Sequence, residues 1–594
     1  MVRRASSYLL VAVLALTLLA TMAGAGAAPR LPDLPKPGVD TTAPDIGKYG
    51  GTFVTSTFSD PRTFNPIVSQ DTVSGTVVEG ITSALVDQNY VTGEMEPALA
   101  ESWTLSRDGR TWTFTLRDKL VWSDGQPLTV DDVVFTLEAI FTPGVDGSLR
   151  DPLTFRGQRV QWRKLDGRRI QFQTPRDQPP VGLFLRLIAI PIVPKHKLAD
   201  ALGKGGAEFS RTWGLNVNAR DMVSSGPFVF QSYTPGQRFI LVRNTRYWKV
   251  DRNGQRLPYL TRYILQILPN QEASRLRFLA KETDAYEARP AEFAQLKQQE
   301  RQGNFTVYDG PETFGRTFLV FNQNPAAVKP PKLAWFQDAR FRRALAHAID
   351  QNAIIQQVFA GRATLPTSEI TVGNKLYYNA NLRPYPYGIE RAQQLLAEAG
   401  YRRGSDGFLR DAQGNVVEFT MITNSGNVDR EAIGNLVRQD FTKLGIRVSF
   451  VPESFPSLVG KLTGTYNWEA IIIGFTGSLE PGTDARNIWL SSGDLHMWWP
   501  KQEKPATQWE AEIDRIFEQL PAELDQAKRK QMYFRFQEIV YENLPMLYFP
   551  YLKTQPAIRN TIGNVKLGLQ GHTPGLPGWS VPATTTYFKG AYRP

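Results

Sequence analysis

Residues 99–140 carry the pattern that most restricts the fold of this chain. Apolar residues alternate with polar ones around Trp103 and again around Trp112, with Asp108-Gly109 between the two runs. Such alternation is typical of β-strands with one buried face, and glycine tolerates the positive φ that a tight turn requires. The sequence therefore predicts a β-hairpin, followed by a short third strand at Trp122.

The same stretch predicts an amphipathic helix after the hairpin. Thr129 and Asp132 have the spacing of a capping box, in which each side chain accepts a hydrogen bond from the other residue's backbone. The apolar residues after them recur at helical spacing, at Val133, Val134, Leu137 and Ile140. Hairpin, strand and helix together describe a piece of hydrophobic core and indicate no function by themselves.

The order of these residues resembles the signature of the family 5 extracellular solute-binding proteins, the peptide-, dipeptide- and nickel-type receptors of ABC importers. The similarity is carried by the segments LAESW, DGRTWTFTLR and W-SDGQPLT-DDV-F. It extends over roughly residues 49–550. The resemblance implies an α/β protein with the two-lobed fold of periplasmic binding proteins, of type II, in the large cluster whose first lobe carries an extra subdomain.

A chain of 594 residues is too long for a single hydrophobic core. Strands and helices alternate through its second half, which is typical of an α/β lobe. Two crossings between the lobes would form a hinge that closes around a solute. The expected division is a signal peptide over residues 1–28, a proline-rich leader over 29–46, a first lobe over 47–313 with an inserted subdomain at about 76–190, a second lobe over 314–547, and a return to the first lobe over 548–594.

The N-terminus is typical of an export signal. Arg3 and Arg4 precede an apolar run from Tyr8 to about Ala20, and small residues follow up to Ala28. Because this run is shorter than the roughly 20 residues that a membrane span prefers, cleavage is expected, with an uncleaved anchor as the alternative. Cysteine is absent, which removes a lipid-modified cysteine. We therefore expect a protein exported by a Sec-type signal to the periplasm or another extracytoplasmic space, and not a lipoprotein.

Sequence motifs of the common enzyme classes are missing. The chain has no G-x-S-x-G, no G-x-x-x-x-G-K-[ST], no G-x-G-x-x-G and no H-E-x-x-H, and its four histidines are dispersed. We expect no catalysis, no cofactor and no bound metal. The formal net charge of +11 would suit a nucleic-acid partner, but the basic clusters are short and no aromatic residues line a basic stripe. No nucleic-acid partner is therefore expected.

The resemblance places the solute beside the loop that follows the apolar run 470–475. Peptide receptors of the family often show GWTGD here, and the aspartate pairs with the α-ammonium of the peptide. In this chain Phe475 stands in place of the tryptophan and Ser478 in place of the aspartate. Serine cannot neutralise an ammonium group, so Glu480 or Asp484 is expected to supply the carboxylate from a shifted loop.

Other residues expected at the solute come from separate parts of the chain. Phe58 precedes a segment that the resemblance places near the cleft. In the turn Ser225-Gly226, glycine would let the backbone approach the solute closely. Asn424 ends an apolar run and begins a polar loop.

The class of solute stays open between three alternatives. The resemblance favours an oligopeptide- or dipeptide-like solute. Trp489, with Trp498 and Trp499, could stack on sugar rings, which would suit an oligosaccharide. His496 beside Asp494 is the one hint of a nickel or metal-chelate solute. In each case the expected partners are the small solute and the permease subunits of an ABC importer, and the receptor is expected to be a monomer.

Overall fold

The computed structural model describes residues 38–40, 43–89, 94–155, 157–175, 190–523, 525–568 and 584–590. The predicted signal peptide and most of the predicted leader lie outside these residues. Within the described part of the chain, no helix is long and apolar enough to cross a membrane.

The first lobe is built on a mixed four-stranded sheet. Its first strand, Thr52–Thr57, runs parallel to Arg262–Ile267, and Arg238–Arg243 and then Phe228–Thr234 continue the sheet in antiparallel fashion. Alternate residues of these strands enter one large core, because successive strand side chains point to opposite faces.

A second, antiparallel sheet forms the subdomain of this lobe. Its strands are ordered Ala100–Leu105, Thr111–Leu116, Arg169–Gln173 and Gln161–Lys164. The predicted hairpin is confirmed, with Gly109 at φ 68° in the turn. Its tryptophans are buried in the core of the lobe.

The helix Val130–Phe141 begins at the predicted capping box, in which Thr129 N donates to Asp132 at 2.9 Å. The predicted third strand at Trp122 is wrong. The segment makes a tight turn instead, in which Trp122 N donates to Gln126 O at 2.8 Å, and a single bridge joins Val121 to Pro127. Leu128 N donates to Leu120 O at 3.0 Å beyond Pro127, and the pairing extends no further than this single bridge.

The second lobe is built on a five-stranded sheet. Its order is Arg447–Glu453, Glu418–Asn424, Ala470–Phe475, Arg316–Phe321 and Met546–Tyr548. Separate apolar cores cover the two faces of this sheet. Strands covered on both faces are apolar throughout rather than alternating, which explains the continuous run of Ala470–Phe475.

A three-stranded sheet ends the first lobe at its border with the second. Pro556–Arg559 lies in its centre, between Ala285–Glu287 and Phe305–Val307. The chain leaves this sheet for the second lobe through residues 308–315 and returns through residues 549–555.

The two crossing segments pair with each other, and we call residues 308–315 and 549–555 the hinge ribbon. Gly310 N donates to Thr554 O at 3.0 Å, and Thr313 N donates to Leu552 O at 2.9 Å. Main-chain hydrogen bonds therefore join the two chain crossings to each other. The residue limits of the lobes stay a prediction.

Helices cover the sheets of both lobes. Those of the first lobe are Thr72–Ile81, Val130–Phe141, Lys195–Gly203, Gly206–Arg211, Gln271–Leu279 and Phe293–Gly303. Those of the second lobe are Lys332–Gln337, Ala339–Ala348, Gln351–Gln357, Ile389–Glu398, Val428–Lys443, Phe455–Gly460, Pro481–Asp484, Arg486–Trp489, Gln508–Gln519 and Gln526–Asn543. Short two-stranded ladders join Val86–Gln88 to Met95–Pro97, Thr154–Phe155 to Gln158–Arg159, Arg402–Arg403 to Leu409–Arg410, and Ile562–Gly563 to Tyr587–Phe588.

Candidate functional site

A cleft of about 640 Å³ lies between the two lobes at the hinge ribbon. Residues 70–72 and 287–290 of the first lobe form one wall, and residues 429–430 and 473–478 of the second lobe form the other. A volume of this size is within the range of small-molecule sites, about 300–1,000 Å³.

The lobes touch on one side of the cleft through an ion pair. Arg289 Nη2 lies 2.7 Å from Asp429 Oδ1, and burial of both groups strengthens their attraction. Beside this pair, Val428 N donates to Gln271 Oε1 at 2.9 Å. The first turn of the helix Val428–Lys443 is thereby fixed to the first lobe.

The lobes touch again through the helix Arg486–Trp489. Arg486 Nη2 donates to Thr154 O of the first lobe at 3.2 Å. Lys501 Nζ lies 4.0 Å from Asp146 Oδ1. The two lobes therefore meet at two separate places beside the cleft.

A buried ion pair between Arg316 and Glu369 forms the floor of the cleft. Glu369 also accepts a hydrogen bond from Tyr548 Oη at 2.8 Å, while Arg316 Nη1 donates to Thr476 O at 2.8 Å. Burial raises the pKa of Glu369, and the Arg316 charge opposes that shift. These two charges compensate each other and hold the start of the strand Arg316–Phe321 against the sheet.

Glu287 ends its strand in the first lobe, and its side chain opens into the cleft. Its Oε1 accepts hydrogen bonds from Gln555 N at 2.7 Å and Thr554 Oγ1 at 3.0 Å, both on the hinge ribbon. The side chain is accessible from the cleft, but the protein walls around it partly desolvate the carboxylate, which raises the pKa of Glu287 to about 7. Among the described residues, no Lys, Arg or His forms an ion pair with it.

Arg430 faces the cleft from the first turn of the helix Val428–Lys443. Its Nη1 donates to Asn424 Oδ1 at 2.8 Å, and a Cβ on Gly474 would lie 2.7 Å from its Nη2. In its present position the guanidinium leaves no room for a side chain at position 474, where an added Cβ would also lie 2.8 Å from Arg316 O. Burial lowers the pKa of Arg430 to about 10, and Asp429, which Arg289 already engages, opposes this shift.

Two of the residues expected at the solute line the cleft. Phe475 lies at the end of its strand, with its ring 5.3 Å from that of Phe318, and Ser478 follows in the loop. Asn424 is 2% exposed and does not line the cleft, but it holds Arg430, which does. Phe58 is half-buried and lies outside the lining.

The expectation that Glu480 faces a solute cation requires correction. Its side chain is buried, forms an ion pair with Arg529, and accepts a hydrogen bond from Tyr377 Oη at 2.9 Å. Its charge is thus neutralised inside the second lobe. Asp484 ends the short helix Pro481–Asp484, and its side chain lies outside the described part of the structure.

The turn Ser225-Gly226 serves a different contact from the one expected. Both backbone N–H groups donate to Ile81 O, at 3.2 and 3.1 Å. A Cβ on Gly226 would lie 2.6 Å from the backbone of Ile81 and Thr82. Glycine is required here because a helix end, and not a solute, approaches the backbone.

The proposed tryptophan stacking surface is also corrected. Trp489 and Trp498 are 0% and 1% exposed, and their ring centroids lie 5.7 Å apart in the core of the second lobe. His496 is buried beside them, with Nδ1 2.9 Å from Ile488 O and Nε2 3.5 Å from Glu510. It packs and bonds within this core and does not meet Asp494 in a metal site.

Sequence reasoning did not identify Glu287 and Arg430, which lie on facing walls of the cleft and form no ion pair with any other described residue. Glu287 and Arg430 are 143 positions apart, and they share a cleft only because the hinge ribbon brings the two lobes together. The one available signal was Gly474, whose missing side chain admits Arg430, but its partner could not be read from the sequence.

Comparison with known proteins agrees with this architecture. The family model described as "Bacterial extracellular solute-binding proteins, family 5 Middle" matches residues 94–496. A "Probable ABC transporter-binding protein" of Deinococcus radiodurans is 30% identical over 517 residues, which cover 84% of this chain and 86% of that protein.

Two solved structures show the same fold. The oligopeptide-binding protein AppA from Bacillus subtilis, in complex with a nonapeptide, superposes with a TM-score of 0.77 at 22% identity, covering 92% of this chain and 100% of that one. The periplasmic binding protein MelB from Agrobacterium fabrum, in complex with stachyose, gives a TM-score of 0.81 at 22% identity, covering 94% and 89%. The chain therefore belongs to the bacterial extracellular solute-binding proteins of family 5, the receptors of ABC importers, and is not an enzyme.

Proposed function

We propose that this receptor captures an oligopeptide- or dipeptide-like solute and passes it to the permease subunits of an ABC importer. The observation that carries the proposal is the mixed chemistry of the cleft wall, in which the Glu287 carboxylate and the Arg430 guanidinium line the same cleft together with polar and apolar side chains. A peptide presents charges of both signs along a polar backbone, so it can engage both charged groups as well as polar side chains.

The relatives support peptides and sugars alike, since AppA is described with a nonapeptide and MelB with stachyose. Sugar rings are commonly held against flat aromatic faces. Among the described residues, no tryptophan lines the cleft, because Trp489 and Trp498 pack in the core. The aromatic residues of the described lining are Phe314, Phe455 and Phe475, so the cleft offers no indole face to a sugar ring, which favours a peptide over an oligosaccharide.

A nickel or metal-chelate solute is the remaining alternative. A nickel-binding periplasmic protein of Escherichia coli is 24% identical over 386 residues. The described residues hold no group of three or more His, Asp or Glu side chains that could bind a metal ion. The peptide proposal has the better support in the cleft itself.

We also propose that the chain works as a monomer in the periplasm or an equivalent space, after a Sec-type signal over residues 1–28 is cleaved. N-terminal sequencing of the natively exported protein tests the cleavage, and light scattering tests the oligomeric state. A membrane-bound form that retains residue 1 would contradict the cleavage.

The solute class is tested by native mass spectrometry of the exported protein as purified, followed by calorimetry. We expect co-purified peptides, and micromolar or tighter binding of members of a di- to pentapeptide mixture. Stachyose and nickel–histidine serve as competitors. Tight binding of stachyose or of the nickel chelate, with no binding of any peptide, would contradict the proposal.

A further inference from the structure

Some charged side chains of the cleft lining are neutralised by an ion pair or stabilised at the start of a helix, and others have neither kind of partner among the described residues. Arg316 is paired with Glu369, and Arg289 with Asp429. Asp71 accepts hydrogen bonds from backbone N–H groups at the start of its helix, at 2.9 and 3.1 Å. Lys553, on the hinge ribbon, and Glu287 are both exposed to solvent from the cleft. Apart from Asp71, the described lining residues whose charges form no ion pair are Glu287, Arg430 and Lys553, and of these Glu287 and Arg430 lie on the facing walls.

Glu287 and Arg430 lie on opposite walls of the cleft, and both have only neutral hydrogen-bond partners among the described residues. The partners of Glu287 are Thr554 and Gln555, and that of Arg430 is Asn424. The pKa of neither group is affected by the charge of the other, so the two do not neutralise each other across the cleft. The Asp429 charge acts on Arg430 but is already engaged by Arg289, and among the described residues no cation pairs with Glu287. A ligand group of opposite charge would therefore interact favourably with each of the two residues.

The ion pair between Arg289 and Asp429, which we call the clasp, sets the position of Glu287 relative to Arg430. Arg289 is two residues after Glu287, and Asp429 is the residue before Arg430. Their ion pair joins the wall that carries the carboxylate to the wall that carries the guanidinium. The contact between the lobes therefore places both groups on the same cleft.

We propose that Glu287 receives the cationic group, and Arg430 the anionic group, of a zwitterionic solute that bridges the two lobes. This inference rests on the proposed function and names the recognising residues: for a peptide with free termini, the α-ammonium lies at Glu287 and the terminal carboxylate at Arg430. Cation recognition is thereby located in the first lobe, and not in the loop at Ser478, where serine replaces a carboxylate. Arg430 offers parallel N–H donors that match a carboxylate.

The discriminating experiment compares one set of di- to pentapeptides in three forms: free termini, N-acetylated, and C-amidated. Affinities are measured by calorimetry for the wild type, E287Q and R430Q, with the exposed pair E398Q and R391Q as matched controls for the same chemical changes. Thermal unfolding verifies that each variant is folded. Glu287→Gln keeps the shape of the side chain and its acceptor oxygen, so the fold of the strand end should persist.

We expect the wild type and both controls to bind free peptides at least tenfold more tightly than acetylated or amidated ones. E287Q should lose the discrimination against acetylation while keeping that against amidation, and R430Q should show the reverse. Variants that discriminate as the wild type does would overturn this inference and leave the proposed function standing. Failure of the wild type to bind any peptide would overturn the proposed function itself.

Proton release gives an independent readout. Because Glu287 has a pKa of about 7, an ammonium group that binds to its ionised form should displace up to about three-quarters of a proton at pH 6.5. Titrations in two buffers of different ionisation enthalpy measure this number. E287Q should release none, and equal release by wild type and E287Q would overturn the assignment of the cation to Glu287.

Discussion

At the scale of single residues, the carboxylates of this protein differ in whether they have a cationic partner. Glu480 and Glu369 each have an arginine partner inside the second lobe, whereas Glu287 has hydrogen-bond donors but no cation among the described residues. Sequence proximity to a family motif drew attention to Glu480, although its partners Arg529 and Tyr377 come from distant positions. A carboxylate's role therefore could not be read from its place in the loop.

Replacement of Glu480 by alanine should destabilise the protein and leave solute affinity unchanged. The substitution leaves the Arg529 charge buried without its partner, which typically costs about 3 kcal/mol or more of unfolding free energy. Urea unfolding measures the loss. The control Glu208→Ala breaks an exposed pair with Arg211 and should cost less than about 1 kcal/mol. Unchanged stability together with lost solute binding would contradict this prediction and show that Glu480 contacts the solute.

At the scale of elements, local patterns predicted local structure well. The hairpin around Gly109 and the capping box at Thr129 are set by a few neighbouring residues, and both are present. The turn at Gly226 and the position of Trp489 were misread, because each depends on a segment distant in sequence. Membership of the family and the two-lobed fold were predicted correctly, because the motifs extend over most of the chain.

Alanine at Gly226 should destabilise the first lobe. Its Cβ would lie 2.6 Å from backbone atoms at the end of the helix Thr72–Ile81, so one of the two segments must move, at a cost of about 2 kcal/mol. The matched control is Gly75→Ala in the middle of that helix, where no atom lies within 4 Å of the added Cβ and about 0.5–1 kcal/mol should be gained. Urea unfolding measures the change in unfolding free energy of both variants. Equal changes would contradict the proposed close contact between Gly226 and the helix end.

At the scale of the whole molecule, closure depends on contacts at two places. The clasp between Arg289 and Asp429 lies at the cleft. At the other contact, Asp151 of the first lobe faces Asp494, Arg486 and Lys501 of the second, with Arg150 nearby on its own element. Burial raises the pKa of Asp151 to about 6, and the Asp494 charge raises it further.

The contact at Asp151 should weaken as pH rises. A carboxyl group whose pKa is raised in the closed protein contributes its stabilisation fully below about pH 3.8 and loses it as pH rises through about 6. We expect the distance between labels on the two lobes, measured by fluorescence energy transfer, to increase between pH 5 and pH 7.5. Asp151→Asn should remove this increase, and Asp166→Asn, at an exposed turn, should retain it. A distance that depends on pH equally in both variants would contradict the role of Asp151.

The central strand of the three-stranded border sheet also sets an order of events during synthesis. Ala285–Glu287 and Phe305–Val307 are made before the second lobe, but Pro556–Arg559, which joins them, is made after it. Until that strand emerges, the two earlier strands have no partner between them, and the Thr554 hydroxyl and the Gln555 backbone N–H, which donate to Glu287, are not held in place. The last-made part of the chain thus completes the first-made lobe, and a ribosome that stops short of residue 556 releases a receptor whose cation-facing wall has not been assembled.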